Sequence, residues 1–467
     1  MSEHTTSGTL AARVLPFGGD STMKFRPVAF LASVLFAALA ARTPAQTTTL
    51  GASRVASSPL DAASRTAIAT RLAAELRSRY VYPDVGERGA AAITAAAASG
   101  AYDRIVDMPA FTTRLTADLR RVMDDAHLVV FDSTSRPPFP VETGLPGEAG
   151  IVRADRLTGG IGYLEMFGFS NPWAFKPALD RAMAGLKGSR ALILDVRGNG
   201  GGDPAAVSYL VSYFLPASKR IEVSSIVARK KGTASVRRKS FFSEPTPTSF
   251  AGTPTYILTS GHTFSGGEEL AYDMKTLKLG TVVGEVTGGG ANPGEQITVG
   301  EGVTAFIPTG RQESPITRSN WEKRGVQPDL KATAADALAV TMRRLGQTPA
   351  PATVEAASPV SVFSRRTMPL VGSEAMLRRL LANLNAPEPD YTLLPSDIPD
   401  AGREALAETH RRLKPLGTPK AIRFRKPDAF GNDVFELIYP DRSFVVAITL
   451  DRAGNFIGLI GPDRVAT

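Results

Sequence analysis

Two short apolar runs, each followed by a glycine-rich turn and a helix-forming segment, are the clearest feature of the hydrophobic pattern. The run 191–195 leads into the turn 198–203, and the run 255–259 leads into the turn that holds Ser265. Apolar runs of this length between turn signals are typical of buried strands, and the composition of 268–276 is typical of a helix. Two such units predict a mainly parallel sheet whose turns lie together at the carboxyl edge, where ligands usually bind.

The pattern on either side of these units predicts further elements. Residues 47–126 are predicted to form a helical cap, because apolar residues recur at four-residue spacing and 90–98 is rich in alanine. Additional strands at 161–166 and 282–285 complete a predicted α/β core that spans residues 127–345.

The C-terminal part has a different pattern. Residues 346–359 begin with a Pro/Ala/Thr-rich stretch and are predicted to be a linker. Residues 360–467 are predicted to form an α+β accessory domain that binds or spaces rather than catalyses. Its predicted helices and antiparallel strands are 375–385, 402–416, 421–424, 434–439, 443–450 and 457–460.

Residues 1–46 are predicted to be an extension and an export signal. Met23 is taken as the true start, followed by two basic residues, the apolar run 28–41 and small residues at 43–45 for cleavage. The apolar run is shorter than the about 20 residues that a membrane-spanning helix needs, although a retained anchor stays an alternative. The expected location is therefore secreted or periplasmic, in a bacterium.

Composition narrows the range of partners. The formal net charge of the 467 residues is +9 and there is no cysteine, so stability is expected to come from core burial alone. Lys and Arg are scattered apart from the clusters 229–231 and 237–239, which bracket a predicted solvated hairpin or loop. Nucleic-acid binding is not expected, whereas contact with an anionic envelope surface stays open.

Ser265 is the most informative single residue. It lies between an apolar strand and a helix, so the first free N–H groups of that helix could donate to an oxyanion that forms during acyl transfer. A serine in this place could equally cap the helix, and the residues alone fit both roles. The glycine-rich turn 198–203 could form an anion nest, but the phosphate-binding fingerprints are absent, since Asp203 replaces the last glycine.

A serine nucleophile needs a base, and the chain has four histidines. His4 precedes the export signal, and His410 lies in a charged segment predicted to be a surface helix. His262 is three residues before Ser265, and His127 follows a predicted amphipathic helix and begins a predicted strand. On the residues alone, His127 and His262 both remain candidates.

Four motifs together resemble peptidase family S41, which includes the carboxyl-terminal processing proteases and the tricorn core protease. The matching segments, in the order of the family, are 194–202, 263–265, 283–291 and 320–329. The resemblance covers roughly residues 58–345. It implies a ClpP/crotonase-like α/β core and peptide-bond hydrolysis.

The resemblance also implies roles for individual residues. Processing proteases carry a lysine base where this chain has Gly290, so the resemblance is closer to the tricorn-like branch, which places its catalytic histidine at His127. That branch also implies Glu322 as a member of the catalytic set, although its serine before the histidine is Ala126 here. Gly266 and Gly201 are the N–H donors implied for the oxyanion hole.

The predicted protein is thus a secreted serine endopeptidase that acts on peptides or unfolded proteins through a Ser265 acyl-enzyme, with His127 as general base. No cofactor or metal is expected, and no zinc signature is present. The stretch 128–159 is too short for an inserted PDZ module. The alternative is a non-catalytic ligand- or peptide-binding protein on the same fold. An α/β-hydrolase esterase is disfavoured, because Thr263 replaces the first glycine of the G-x-S-x-G motif. The oligomeric state stays open.

Overall fold

The computed structural model describes most of the chain from residue 60 onward. The described residues are 60–132, 147–348, 360–361, 366–384, 386, 411, 414–428, 432–450 and 456–464. The helices are α1 Ala62–Arg79, α2 Pro83–Ala98, α3 Met108–Met123, α4 Pro172–Leu186, α5 Pro204–Ser212, α6 Gly266–Thr276, α7 Ala337–Arg344 and α8 Ser373–Leu384. The first strands are β1 Val129–Asp132, β2 Ile151–Leu157, β3 Ile161–Met166, β4 Ala191–Asp195, β5 Glu222–Arg229, β6 Val236–Phe242, β7 Thr255–Thr259 and β8 Thr281–Gly284. The remaining strands are β9 Gly294–Gly300, β10 Val303–Pro308, β11 Gly310–Glu313, β12 Leu330–Lys331, β13 Val360–Ser361, β14 Ala421–Pro427, β15 Asp433–Ile438, β16 Ser443–Leu450 and β17 Phe456–Arg464.

A central sheet with the order β12-β8-β7-β4-β3-β2-β13 organises the core. Strands β12, β8, β7, β4 and β3 are parallel neighbours, while β2 and β13 add antiparallel pairs at one edge. The two predicted strand–turn–helix units are adjacent, because β4 pairs directly with β7 and each is followed by a helix. Their turns therefore meet at one edge of the sheet, as predicted.

Both faces of the sheet are covered, which explains why its strands are continuous apolar runs. Leu164, Leu194 and Ile257 face the helices α4, α5 and α6 in the largest hydrophobic cluster. Ile193 and Leu258 lie on the opposite face, where α7 covers them.

The N-terminal helices pack on a separate antiparallel sheet, β1-β10-β9. Apolar positions of α1 and α3 form a cluster with Val130, Ala305 and Ile307. Asp124, the residue after α3, adopts a left-handed conformation (φ 52°), and the chain then turns into β1. This reversal brings residues 125–127 to the side of the core that carries the glycine-rich turns.

A third sheet, β11-β5-β6, carries the basic clusters. Strands β5 and β6 form an antiparallel hairpin, as the sequence predicted, and residues 230–239 are all exposed. The tip of the hairpin contacts the helical region, because Gly232 N–H donates to the carbonyl of Ser78.

In the C-terminal part, helix α8 packs on the four-stranded antiparallel sheet β14-β15-β16-β17. The fold class predicted from the sequence, an α/β core with an N-terminal helical cap and a C-terminal α+β part, is confirmed. The predicted helix 402–416 lies mainly outside the described residues, as do the linker and the export signal, and the segment boundaries stay predictions. None of the helices in the described part of the chain has the length and apolar character needed to span a bilayer.

Candidate active site

Ser265 immediately precedes the first residue of α6 and adopts a backbone conformation that is rare for a residue with a side chain. Its φ is 52° and its ψ is −119°. Strained residues of this kind persist only where the surroundings enforce them, and they cluster at functional sites. The following residues Gly266 and Gly267 are buried against the glycine-rich turn, so a side chain at either position would collide with residues 199–202.

The turn after β4 lies directly against Ser265. A Cβ on Gly201, whose φ is +117°, would lie 2.7 Å from the Ser265 Cβ and 3.1 Å from its Oγ. Asn199, which is fully buried, shapes this turn: its Oδ1 accepts from the Gly201 N–H at 2.8 Å, and its Nδ2 donates to the Met166 carbonyl. Glycine is required at position 201 on both steric and conformational grounds.

The N–H groups beside Ser265 differ in what they already bind. The Gly201 N–H, predicted as an oxyanion donor, already donates to Asn199 Oδ1 and is therefore not available to an oxyanion in this structure. The N–H groups of Gly266 and Gly202 have no acceptor among the described residues. Phe169 bonds the residues on either side of Gly202, which directs the Gly202 N–H away from Phe169, and a Cβ on Gly266 would lie 2.9 Å from the Gly202 nitrogen.

Glu268, in the first turn of α6, is a buried carboxylate that the sequence analysis missed. One oxygen accepts from the N–H groups of Ser265 (2.9 Å) and Gly290 (2.8 Å), and the other accepts from Gly289 N–H (2.7 Å) and the Thr287 hydroxyl. Burial raises the pKa of Glu268 to about 7, although all four donors favour the carboxylate. The signal was present in the sequence, because a serine followed three residues later by glutamate is the pattern of a capping box.

The next residue, Glu269, faces the opposite way into the protein. It accepts hydrogen bonds from the Ser224 hydroxyl and the Gln312 amide, and burial raises its pKa to about 8. One turn further along α6, burial and then the neighbouring Glu269 raise the pKa of Asp273 well above its usual range. Neither carboxyl group has a cationic partner among the described residues, so no positive charge there opposes the effect of burial on its pKa.

His127 lies on the other side of the site, between two aromatic rings. The centroid of its ring is 4.6 Å from that of Phe264 and 6.0 Å from that of Phe306. A Cβ on Gly290 would lie 2.7 Å from the His127 Cε1 and 2.3 Å from the Phe264 ring. The imidazole and Phe264 thus fill the space that a side chain at position 290, where processing proteases carry lysine, would need.

Asp125 fixes the turn that presents His127. Its carboxylate accepts from the His127 backbone N–H at 3.0 Å, from the Tyr80 hydroxyl at 2.8 Å and from the Asn292 amide at 2.9 Å. The preceding residue, Ala126, is exposed and offers no side-chain hydrogen bond to the imidazole. The sequence analysis did not identify this group, because Tyr80 and Asn292 are 45 and 167 positions away from Asp125 along the chain.

The imidazole of His127 is in its neutral form at neutral pH. Burial lowers its pKa to about 4, while the charge of Asp125 acts in the opposite sense. Its Nδ1 is buried without a hydrogen-bond partner. No hydrogen bond joins either ring nitrogen to Ser265 Oγ in the described structure, although the imidazole contacts Phe264, the residue before Ser265.

Glu322 lies next to this group through the loop that contains Gly290 and Ala291. One oxygen accepts from the Ala291 N–H at 2.6 Å, and the other is buried without a partner. Burial, and next the charge of Asp125, raise the pKa of Glu322 to about 8. No hydrogen bond between Glu322 and His127 is present among the described residues.

His262 is placed differently from His127. It is exposed at the rim of the turn before α6, and its charge helps to lower the pKa of Glu285. Within the described residues, no group of three or more His, Cys, Asp or Glu side chains is arranged to hold a metal ion.

Two models of known protein families match this chain. The model of peptidase family S41 matches residues 160–332, and the model of the N-terminal domain of peptidase S41 in eukaryotic IRBP matches residues 62–148, so that together they cover more than half of the chain. The chain belongs to peptidase family S41. As a member of this family it is a serine-type peptidase, and its substrates are peptides or proteins.

Several solved structures are similar to this member of family S41. A Parabacteroides merdae protein assigned as a peptidase is 21% identical, with a TM-score of 0.43, over 62% of this chain and 97% of that one. The photosystem II D1 C-terminal processing protease is 16% identical, with a TM-score of 0.39, over 58% and 93% of the two chains. The tricorn protease is 21% identical, with a TM-score of 0.25, over 41% of this chain and 17% of its own.

Proposed function

We propose that this family S41 protein is an endopeptidase that cleaves peptides or unfolded proteins through an acyl-enzyme on Ser265. In the proposed reaction, Ser265 Oγ attacks the peptide carbonyl while its proton passes to His127. Because Nδ1 of His127 is buried, Nε2 is the nitrogen that takes this proton and then gives it to the leaving amine. Water, activated by the same imidazole, releases the acyl group.

The negative charge on the carbonyl oxygen needs donors that no other acceptor occupies. Gly266 and Gly202 offer such N–H groups beside Ser265, so we propose Gly202 in place of Gly201 as the second donor. Removing one donor of this kind typically costs about 10²- to 10³-fold in kcat. Gly201 would then serve by letting the turn approach the serine.

The observation that carries the proposal is the backbone of Ser265. Its conformation costs energy, and Glu268 and the glycine turns hold it in place. A serine that only caps a helix uses ordinary extended backbone, so capping alone does not account for this strained conformation. His127 supports the assignment because it fills the space that the lysine of a Ser–Lys dyad would need. The missing Ser265–His127 hydrogen bond is consistent with a free enzyme, since catalytic hydrogen bonds often form only with substrate bound. Glu322 would orient the loop on which His127 packs.

An active-site serine probe tests the nucleophile. Wild-type protein is expected to be labelled and to digest a fluorescently labelled unfolded protein, because Ser265 is reachable and activated. Ser265→Ala is expected to lose both properties. Ser99→Ala, which changes an exposed serine at the end of α2, is the matched control and should behave as the wild type does.

Two outcomes would contradict this assignment. Equal labelling of Ser265→Ala would place the nucleophile elsewhere, and no labelling of the wild type would favour the non-catalytic binding protein. Turnover of esters without any cleavage of peptides would revive the esterase alternative.

We also propose that the protein is exported and works at the cell envelope of a bacterium. Support comes from the signal pattern that starts at Met23 and from the exposed basic hairpin, where Lys230, Lys231 and Arg237 form no ion pair within the described residues. In fractionated cells, a form lacking residues 1–46 is expected with the envelope at low salt. High salt should release it, because screening weakens surface charge contacts. A full-length chain in the cytoplasm would contradict the proposal.

A further inference from the structure

Arg366 connects the C-terminal part of the protein to the core through a buried charge network. Its Nε donates to Glu148 Oε1 at 2.7 Å and its backbone N–H donates to Glu148 Oε2 at 2.8 Å. Its Nη1 donates to Asp433 Oδ1, on strand β15, at 2.7 Å. Arg181 of α4 adds a second cation on Glu148, and the Leu370 N–H occupies the other oxygen of Asp433.

The network is almost completely buried. The side chains of Glu148 and Asp433 are 0% exposed and that of Arg366 is 9% exposed. Buried ion pairs of this kind add little net stability, because removing the charges from water offsets their attraction, but they fix the groups they join in one arrangement. Because the Arg366 guanidinium bridges Glu148 and Asp433, it fixes where Glu148 lies relative to β15.

Glu148 begins a tight turn that contacts the segment after β3. Its backbone exchanges two hydrogen bonds with Ile151, and the Gly150 carbonyl accepts from the Phe167 N–H at 2.9 Å. Gly150 has a φ of +90°, and a Cβ there would lie 2.0 Å from the Gly168 carbonyl oxygen. This turn and the segment 167–169 are thus in direct backbone contact, with no room for one to move independently.

The same segment holds the glycine-rich turn beside Ser265 from the opposite side. The Gly200 N–H donates to the Phe167 carbonyl at 3.1 Å, the Phe169 N–H donates to the Gly201 carbonyl at 2.8 Å, and the Asp203 N–H donates to the Phe169 carbonyl at 2.8 Å. These bonds set the direction of the Gly202 N–H, because they hold the residues on both sides of it. A continuous set of hydrogen bonds therefore runs from the C-terminal sheet to the turn that faces the nucleophile.

We propose that Arg366 is a positioning residue for the oxyanion hole, and that the C-terminal α+β part, docked through Asp433, sets the activity of the core by this contact. The proposal rests on the proposed function, since it requires Gly202 and Gly266 to bind the oxyanion. Arg366 touches neither substrate nor reacting atoms. Its effect passes through Glu148, the 148–151 turn and the segment 167–169.

The test separates transition-state stabilisation from substrate binding. Arg366→Met is expected to lower kcat by about 10-fold or more with KM changed less than about 2-fold, because oxyanion contacts act mainly in the transition state. A peptide aldehyde, whose hemiacetal oxygen would occupy the oxyanion hole, should bind at least about 10-fold more weakly, while the affinity for a product peptide stays unchanged. Arg366→Lys and Asp433→Asn, which keep much of the packing, should show the same pattern to a smaller degree.

Arg378→Gln is the matched control, because Arg378 forms an exposed pair with Glu374 on α8 in the same C-terminal part. It should leave kcat, KM and aldehyde binding as they are in the wild type.

If Arg366→Met does not fold, Arg366→Lys and Asp433→Asn decide the question. Unchanged kcat and aldehyde affinity in those two folded variants would overturn the proposal, as would equal losses of aldehyde and product affinity. If the Arg366 variants keep wild-type kcat and aldehyde affinity while Ser265→Ala is inactive, this inference alone is refuted. If Ser265→Ala remains active, the proposed function itself is refuted.

Discussion

We expect His127→Ala to lower kcat for peptide hydrolysis by about 10²- to 10⁴-fold, the usual contribution of a positioned general base. The neutral imidazole packs against Phe264, the residue before Ser265, and fills the space beside Gly290. Alanine would leave the serine without a proton acceptor in this part of the site. The measurement is steady-state hydrolysis of a fluorogenic peptide, with circular dichroism to confirm that the variant is folded.

His262→Ala is the matched control for this substitution. His262 is closer to Ser265 in sequence but is exposed at the rim of the turn, so its removal should change kcat by less than about 2-fold. If His127→Ala digests unfolded protein as fast as the wild type, the base has been assigned wrongly. A large loss in His262→Ala would then identify the other histidine.

Glu268→Gln is expected to lower kcat by about 10²-fold and the free energy of unfolding by about 1 to 3 kcal/mol. The carboxylate accepts four hydrogen bonds, whereas an amide has one acceptor oxygen and an NH₂ group that can only donate. Whichever way the amide turns, at least one buried backbone N–H loses its acceptor. The nucleophile turn and the loop 287–290 would then shift relative to each other. Chemical unfolding and peptide hydrolysis measure the two effects.

The same residue gives the wild type a pH dependence. As the pH falls through about 7, Glu268 takes up a proton and one of its oxygens becomes a donor, so we expect activity to decline on the acid side of neutrality. The pKa of His127, about 4, is too low to cause that decline. Glu268→Gln should lack this acid limb, and an unchanged limb in the variant would contradict the assignment.

Glu269→Gln provides the matched control on the same helix. Its pKa of about 8 means that Glu269 is already largely protonated at neutral pH. The Ser224 hydroxyl can donate or accept, and Gln312 Oε1 has no partner, so the new amide can be accommodated. We expect Glu269→Gln to keep activity and stability close to those of the wild type. If Glu269→Gln instead loses as much as Glu268→Gln does, burial rather than the contact with four donors explains the effect at position 268.

Much of the fold could be read from local patterns. The runs that form β4 and β7 are apolar because both faces of the sheet are covered, and this made their burial and adjacency predictable. The helices of the N-terminal region and the antiparallel strands at the C-terminus were found from their periodicity. Element boundaries shifted by a few residues; for example, β1 begins at Val129 rather than at His127.

Local sequence patterns predicted only part of the candidate site. Ser265 was found because it lies between an apolar strand and a helix, whereas Gly266 and Gly201 were implied as donors by the resemblance to family S41. Which N–H remains free could not be found, because it depends on Asn199 accepting the Gly201 N–H and on Phe169 pairing around Gly202. These contacts join segments that the sequence keeps apart.

The sequence by itself determined the parallel core, the strand–turn–helix setting of Ser265 and the family to which the chain belongs, because each depends on residues close to one another along the chain. Only the tertiary structure decided that Glu268 joins the nucleophile to the loop 287–290, that Asp125 holds the turn before His127, and that Arg366 ties the C-terminal sheet to the turn beside the serine. Contacts such as Arg366 with Glu148 connect residues separated by 218 positions. Hydrogen-bond geometry of that range is fixed by the packing of whole elements, which periodicity and local motifs do not encode.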